Sequence, residues 1–481
     1  MSKTNSFFFC TLTLFLACVC SFAGTFGTIV PVGGHAADIA LDEQRGVLYI
    51  ANFAANRVDV LSLSSRSLGT PIPVAPQPSS LALSPDLRYL LVGSFYEPRT
   101  GAVNPPLPSV TIIDLDAGAR RNIPLGASPL GIAFGIGARA LIVTTKGFQL
   151  LDPASGTIQD LPITFAPDVA KLPVEYPAFP PNITKAATGV SGNGQVVYIL
   201  VQGGGGGGGG GGNGGAGGSI SYLVKYDSVT QFLEVQGFVT SPPWGPRSVS
   251  VDLEGRNLLA GWSLLNSESV LLAQFPYATG QYNIGGHLWD TARHVIYGQV
   301  PAATAGSPDT PGGGEGPVLT LFDIDNLTVR ERVRLQENIA GRMLMTSDLQ
   351  TVYAVSDSGV MMLPIGRFDQ LPRVVAVQEA VVFRGNSCDR RIITGYVDLY
   401  HPAGGGPTDF RIVGAPAGVR ITPTSGTTPA KVKIEVDPAA FQNRRGTTTV
   451  TLQIQSSGAI NIPMPFKLQI NTREPEQRGA F

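Results

Sequence analysis

Disulfide chemistry is nearly closed to this sequence. Of its four cysteines, Cys10, Cys18 and Cys20 fall in the apolar opening stretch FFFCTLTLFLACVCSFA, which leaves Cys388 alone in the rest of the chain. One thiol closes no internal bridge. The four histidines, His35, His287, His294 and His401, are scattered, so no Cys/His spacing suits zinc or c-type haem, and neither cofactor nor metal is expected. Charge is also sparse, at 14% of residues with a net of −1. That balance lacks the concentrated basic surface that a nucleic-acid partner requires. Amphipathic helical periodicity is scarce as well, which argues against a helical bundle or an α/β fold.

The chain does open like an export signal. Lys3 precedes the apolar run, and Ser21-Phe22-Ala23 supplies a small-x-small site, so residues 1–23 read as a signal peptide. The run is short for a membrane span, and no basic stop-transfer flank follows it. The expected location is therefore secreted, periplasmic or cell-surface, with no transmembrane span in the mature chain; FLAC, ending at Cys18, leaves a lipoprotein form open. The 481 residues suffice to bury a large core and make more than one domain.

Most of the chain consists of short runs of Val, Ile, Leu, Tyr and Phe bounded by Gly, Pro, Asn, Asp and Ser, the signature of an all-β protein. These runs repeat. Residues 35–74, 78–126 and 129–163 share one order: an inner apolar strand, a turn, a second strand, a third often ending in Asp or Ser, and an outer strand. Four strands per unit is a propeller blade. Looser copies at 185–240, 247–284, 287–336 and 342–363 bring the expected number to seven. TFGTIVPVG (25–33) precedes the first unit as an outer strand without a blade, and the last unit lacks one. The inference is that the N-terminal strand closes the ring and removes an exposed edge.

GVLYIANFAANRVDVLSL, with the flanking VAPQPSSLALSPD, resembles the YVTN-type bacterial β-propeller repeat, over roughly residues 25 to 370. The resemblance is good in three copies and degraded afterwards. It implies a fold seen in surface proteins and binding scaffolds and similar in shape to seven-bladed lactonases. After about residue 376 the pattern changes to longer alternating strands. ITPTSGTTPAKVKIEVDPAAF and the final PFKLQI resemble BACON-like, Ig-like modules. The expected organisation is a signal peptide (1–23), a seven-bladed propeller (24–376) and an Ig-like β-sandwich (377–481).

Long insertions mark one end of the expected ring. Residues 96–108, 203–218 and 301–317 each follow a second strand, and 164–184 links two blades; in a meander all four emerge on the same face. The glycine run within 203–218 is not a phosphate loop, because a strand follows it and no lysine comes before Lys225. Its bland reading is a tolerated insertion, and its sharper one a mobile spacer.

The starts of the inner strands, His35, Ser79, Leu130, Lys185, Arg247, His287 and Arg342, are expected to ring the channel mouth. Five of them, His35, Lys185, Arg247, His287 and Arg342, would favour an anionic ligand; the alternative is that polar groups line the channel for structural reasons alone. Asp114, Asp152, Asp227 and Asp323 end third strands and read as turn-capping residues, while Asp38 lies inside an inner strand. Asn182 and Asn326 occupy N-x-T sequons. Trp244 and Trp262 read as core or inter-blade residues before they read as a sugar platform, and His294 and His401 as ordinary strand or turn residues. Two functions follow. One is a non-catalytic binding or scaffold protein whose loop-rich face meets a protein or carbohydrate. The other is a lactonase-like hydrolase or isomerase for a small acid, with His35 or His287 as base and Arg247 or Arg342 holding the substrate.

Overall fold

The computed structural model describes residues 24–96, 106–166, 179–203, 221–239, 248–275, 285–299, 316–386, 391–444 and 446–473. Strands dominate them, and the repeat pattern is the reason. In each unit, apolar residues of successive strands alternate between the two faces of one antiparallel sheet. Both faces are then covered by neighbouring sheets.

Among the described residues, seven sheets follow this plan, each meandering from an inner to an outer strand. Their inner strands are Ala36–Asp42, Pro78–Leu83, Pro129–Phe134, Ile183–Val190, Val249–Val251, Gly286–Asp290 and Ile339–Met345. Each packs against the next, and the seventh packs against the first. The chain is thus a β-propeller.

The N-terminal strand Thr28–Pro31 is the outer strand of the last sheet, pairing antiparallel with Gly359–Leu363, Ile29 opposite Met361. A separate apolar core fills each gap between neighbouring sheets. Ile39 and Ala40, adjacent in sequence, belong to different cores: Ile39 packs with Val355 and Val360 of the seventh sheet, and Ala40 with Leu81 and Val92 of the second.

Polar residues of the repeat serve as ties. Asn52, in the LYIAN stretch, is fully buried. Its Oδ1 accepts from the amides of His35 and Ala55, and its Nδ2 donates to the Val32 carbonyl and to Asp59. At the other end of the ring, Asp42 and Asp290 are each followed three residues later by an arginine that pairs with them. Arg45 reaches on to the Leu87 carbonyl of the second sheet, and Arg293 to the Leu349 carbonyl of the seventh. An Asp-x-x-Arg turn therefore fixes both its own hairpin and the adjacent sheet.

Residues 375–473 form two further sheets, of four and five strands, over one shared core that includes Phe383, Val397, Phe410, Val432, Leu452 and Leu468. Strand Ala380–Asn386 lies parallel to Phe466–Arg473. This unit is docked on the sixth propeller sheet. Asn461 bridges Val333 of that sheet's outer strand, the Arg334 amide donates to the Ile460 carbonyl, and Ile460 enters the core between the sixth and seventh sheets. Arg373 stands beside the seam, 6% exposed, bound to Glu331 at 2.5 Å and to Asp369 at 2.5 Å, with its guanidinium over the Phe368 ring. Burial raises the Glu331 pKa, and Arg373 opposes that rise.

Candidate functional site

The centre of the ring is the place where side chains of all seven sheets can meet. Its contents depend on register, because each inner strand holds one residue per level. Where the inner strands pass into their turns stand Asp42, Ser84, Gly135, Ser191, Asp252, Asp290 and Thr346. The amides of Ser84, Ser191, Asp252 and Thr346 close the same turn in their sheets, which aligns these positions. Four places earlier stand Asp38, Ser80, Gly131, Ala187, Ser248, Gly286 and Arg342. Five of these are small, and two carry opposite charges.

Arg342 crosses this level. Its Nε lies 3.1 Å from Asp38 Oδ1 in the first sheet, its Nη1 donates to the Leu81 carbonyl of the second at 3.3 Å, and its Nη2 donates to Thr188 Oγ1 of the fourth at 3.4 Å. One guanidinium thus touches three other sheets. Asp38 is buried, and its second oxygen accepts from the Leu81 amide at 2.8 Å, while Oδ1 also accepts from its own neighbour Ile39. Burial raises its pKa, and Arg342 and the two amides hold it down in part. Small residues elsewhere at this level permit the close approach: a Cβ on Gly286 would lie 2.4 Å from the Gly341 carbonyl.

Inner-strand bulges aim these groups. Register shifts fall between Ala36 and Asp38, Pro78 and Ser80, Pro129 and Gly131, Ile183 and Lys185, and Ile339 and Met343. A bulge rotates the following side chain and strengthens the local twist.

The basic ring expected at the mouth is therefore not one ring. His35 is exposed at the entrance and meets Phe53 edge to face. Ser79 donates to the Gly93 carbonyl, and Leu130 packs in the core between the third and fourth sheets. Lys185 is half-buried at a different height from Arg342. Arg247 lies outside the described residues, as do Trp244, Cys388 and the glycine run.

His287 is 1% exposed and wedged between the fifth and sixth sheets. Its Nδ1 lies 2.6 Å from Ser250 Oγ, its Nε2 3.0 Å from the Gly261 carbonyl, and its ring stacks on Phe275. A carbonyl only accepts, so Nε2 carries the proton; Ser250 Oγ lies 2.6 Å from both Nδ1 and the His287 carbonyl, and its single proton serves one of the two at a time. Burial pushes the imidazole pKa down to about 4, so the ring is neutral near pH 7 and offers no charge to an anion.

The turn reading of the acids fits their contacts. Asp114, Asp152, Asp227 and Asp323 each accept backbone amides two or three residues ahead. Trp262 is fully buried, packed on Phe275. His294 meets Asp325, and His401 meets Thr428. Among the described residues, no three His, Cys, Asp or Glu side chains gather as metal ligands, and no helix is long and apolar enough to cross a membrane.

No family model and no curated protein matches this chain. Among solved structures it is similar to the hydrazine synthase of Kuenenia stuttgartiensis, with a TM-score of 0.48 and 13% identity over 70% of this chain and 98% of that one.

Proposed function

We propose that the chain is a secreted, non-catalytic binding or scaffold protein. In this reading residues 1–23 are an export signal, 24–376 a seven-bladed YVTN-like propeller and 377–481 an Ig-like module. The end of the ring where the inner strands begin faces a protein or carbohydrate at a cell surface. The observation that carries it is the use made of charge at the centre. Arg342, one of the five anion-binding candidates, is occupied by Asp38, Leu81 and Thr188.

The connections 96–108, 203–221 and 299–318, together with the link 166–183, all join strand ends on the opening side. That side therefore carries the long connections, and binding residues commonly lie on loops held by a rigid scaffold. Two sheets over one core, with strand Ala380–Asn386 beside the last strand Phe466–Arg473, support the Ig-like assignment.

The hydrolase reading takes His35 or His287 as base; His287 is a buried ring with a pKa near 4 and a poor proton acceptor at neutral pH, while His35 stands exposed at the entrance against Phe53. The test is a glycan and peptide array probed with wild type and with a variant shortened across 203–218, beside lactone turnover by wild type and His287→Ala. Expected are array binding weakened at least tenfold by the shortening and no turnover in either protein. A lactone rate in wild type, whether lost in His287→Ala or kept there and lost in His35→Ala, would replace this reading with the enzymatic one.

A further inference from the structure

The first and second sheets part at the rim of the ring. Strand Ile72–Pro73 ends the first sheet, and the chain runs on through Val74 and Ala75 towards the second. The second sheet ends in Ala119–Pro124, whose side chains alternate between its two faces. Arg121 turns towards the third sheet, where its guanidinium donates to the carbonyls of Pro153, Ala154 and Ser155. Arg120 and Asn122 turn towards the first, and Thr111, opposite Asn122 in the register, shares their face. Between these three side chains and the stretch from Pro73 to Ala75 lies a groove of about 400 Å³.

The groove is rich in donors and holds no acid. Arg120 Nη1 donates to the Pro73 carbonyl at 2.9 Å. That bond fixes the guanidinium in place but neutralises none of its charge. Arg45, Arg88, Arg293, Arg330 and Arg342 each meet a carboxylate, whereas among the described residues Arg120 meets none. Its Nε and Nη2 edge is left over, and such an edge takes a carboxylate through two parallel hydrogen bonds. Asn122 Oδ1 accepts from Thr111 Oγ1 at 3.2 Å, which leaves Nδ2 as a further donor. No Asp or Glu lines the groove to oppose an anion. The facing wall is apolar, and prolines at 71, 73, 76 and 78 stiffen it, so the groove is formed before any ligand arrives.

We propose that this groove binds a small carboxylate, its acid group on Arg120 and Asn122 and its body against Pro73, Val74 and Ala75. A volume of this size is at the lower end of small-ligand sites. One guanidinium matches one negative charge, which favours a monocarboxylate over a doubly charged phosphate. The site is separate from the partner-binding face and stands or falls without it.

Saturation-transfer NMR titrations of the purified protein with acetate, galacturonate and N-acetylalanine, each beside its methyl ester, test this in wild type, Arg120→Gln and Asn122→Ala. Both replaced side chains are exposed and glutamine still donates to the Pro73 carbonyl, so both variants are expected to keep the wild-type melting temperature. The ester comparison needs no variant at all. The expected result is saturable, millimolar binding of at least one acid, weakened at least tenfold in its ester and in Arg120→Gln, and by about threefold in Asn122→Ala, which loses one hydrogen bond. Galacturonate and N-acetylalanine distinguish a sugar acid from a peptide terminus as the source of the carboxylate. Three results would each overturn the proposal: no acid that saturates, an ester that binds as tightly as its acid, or binding indifferent to Arg120→Gln.

Discussion

At the scale of single residues, the molecule spends its few ionisable groups on ties between sheets. His287 shows what this implies for pH. Its folded pKa, about 4, lies below the ordinary value of 6.5, so between those values the unfolded chain binds the proton and the folded one does not. The contribution is fully present above about pH 6.5 and is lost as pH falls towards 4. At one pKa unit per 1.36 kcal/mol, the loss is about 3 kcal/mol. Urea unfolding at pH 7 and pH 4.5 should show that fall in wild type and a flatter profile in His287→Gln. An equally steep profile in the variant would assign the effect to other groups. Asp38, whose pKa is raised, contributes in the opposite sense over the acid range.

At the scale of elements, the seam between the propeller and the C-terminal sheets is built like an interior. The Arg373 guanidinium sits on Phe368 between Glu331 and Asp369, and Asn461 exchanges two hydrogen bonds with the backbone of Val374. Removing one partner of a buried ion pair leaves the other uncompensated, at a cost of about 3–5 kcal/mol. Arg373→Met is therefore expected to loosen the seam before it unfolds either part. Hydrogen exchange should rise at Val333, Arg334 and Ile460 and remain slow in the inner strands of the ring. Unchanged exchange at the seam, or a uniform rise everywhere, would contradict this account. In the sequence the C-terminal part stands only as a separate Ig-like module. The docking was not legible there, because its contacts pair residues 42, 87 and 127 positions apart and no motif announces them.

At the scale of the whole molecule, the repeat grammar made much of the fold readable. Inner strands, third-strand aspartates and the orphan N-terminal strand all carry local signals, since each depends on turn chemistry and on the alternation of apolar residues. The centre of the ring was much less readable. Side chains there are set by register, and a one-residue bulge such as those before Asp38 and Ser80 moves a residue to another height and direction. Arg342 and Asp38 both stand out in the sequence, yet nothing in either neighbourhood reveals that they meet. His287 stands three residues before its turn at Asp290 where Arg342 stands four before Thr346, so it falls one position off that level; its stacking on Phe275 and its bonds to Ser250 and Gly261 are inter-sheet contacts with no sequence signature.

The claim on which both the ring and its occupied centre depend is that the first and last sheets meet through Asp38 and Arg342. A double-mutant cycle on unfolding free energy, using Asp38→Ala, Arg342→Met and the double variant, measures that directly. The account predicts a coupling of about 1–3 kcal/mol, with the double variant more stable than the sum of the single losses allows. Simple additivity of the two substitutions would contradict it, because residues in separate parts of an open chain have no reason to couple.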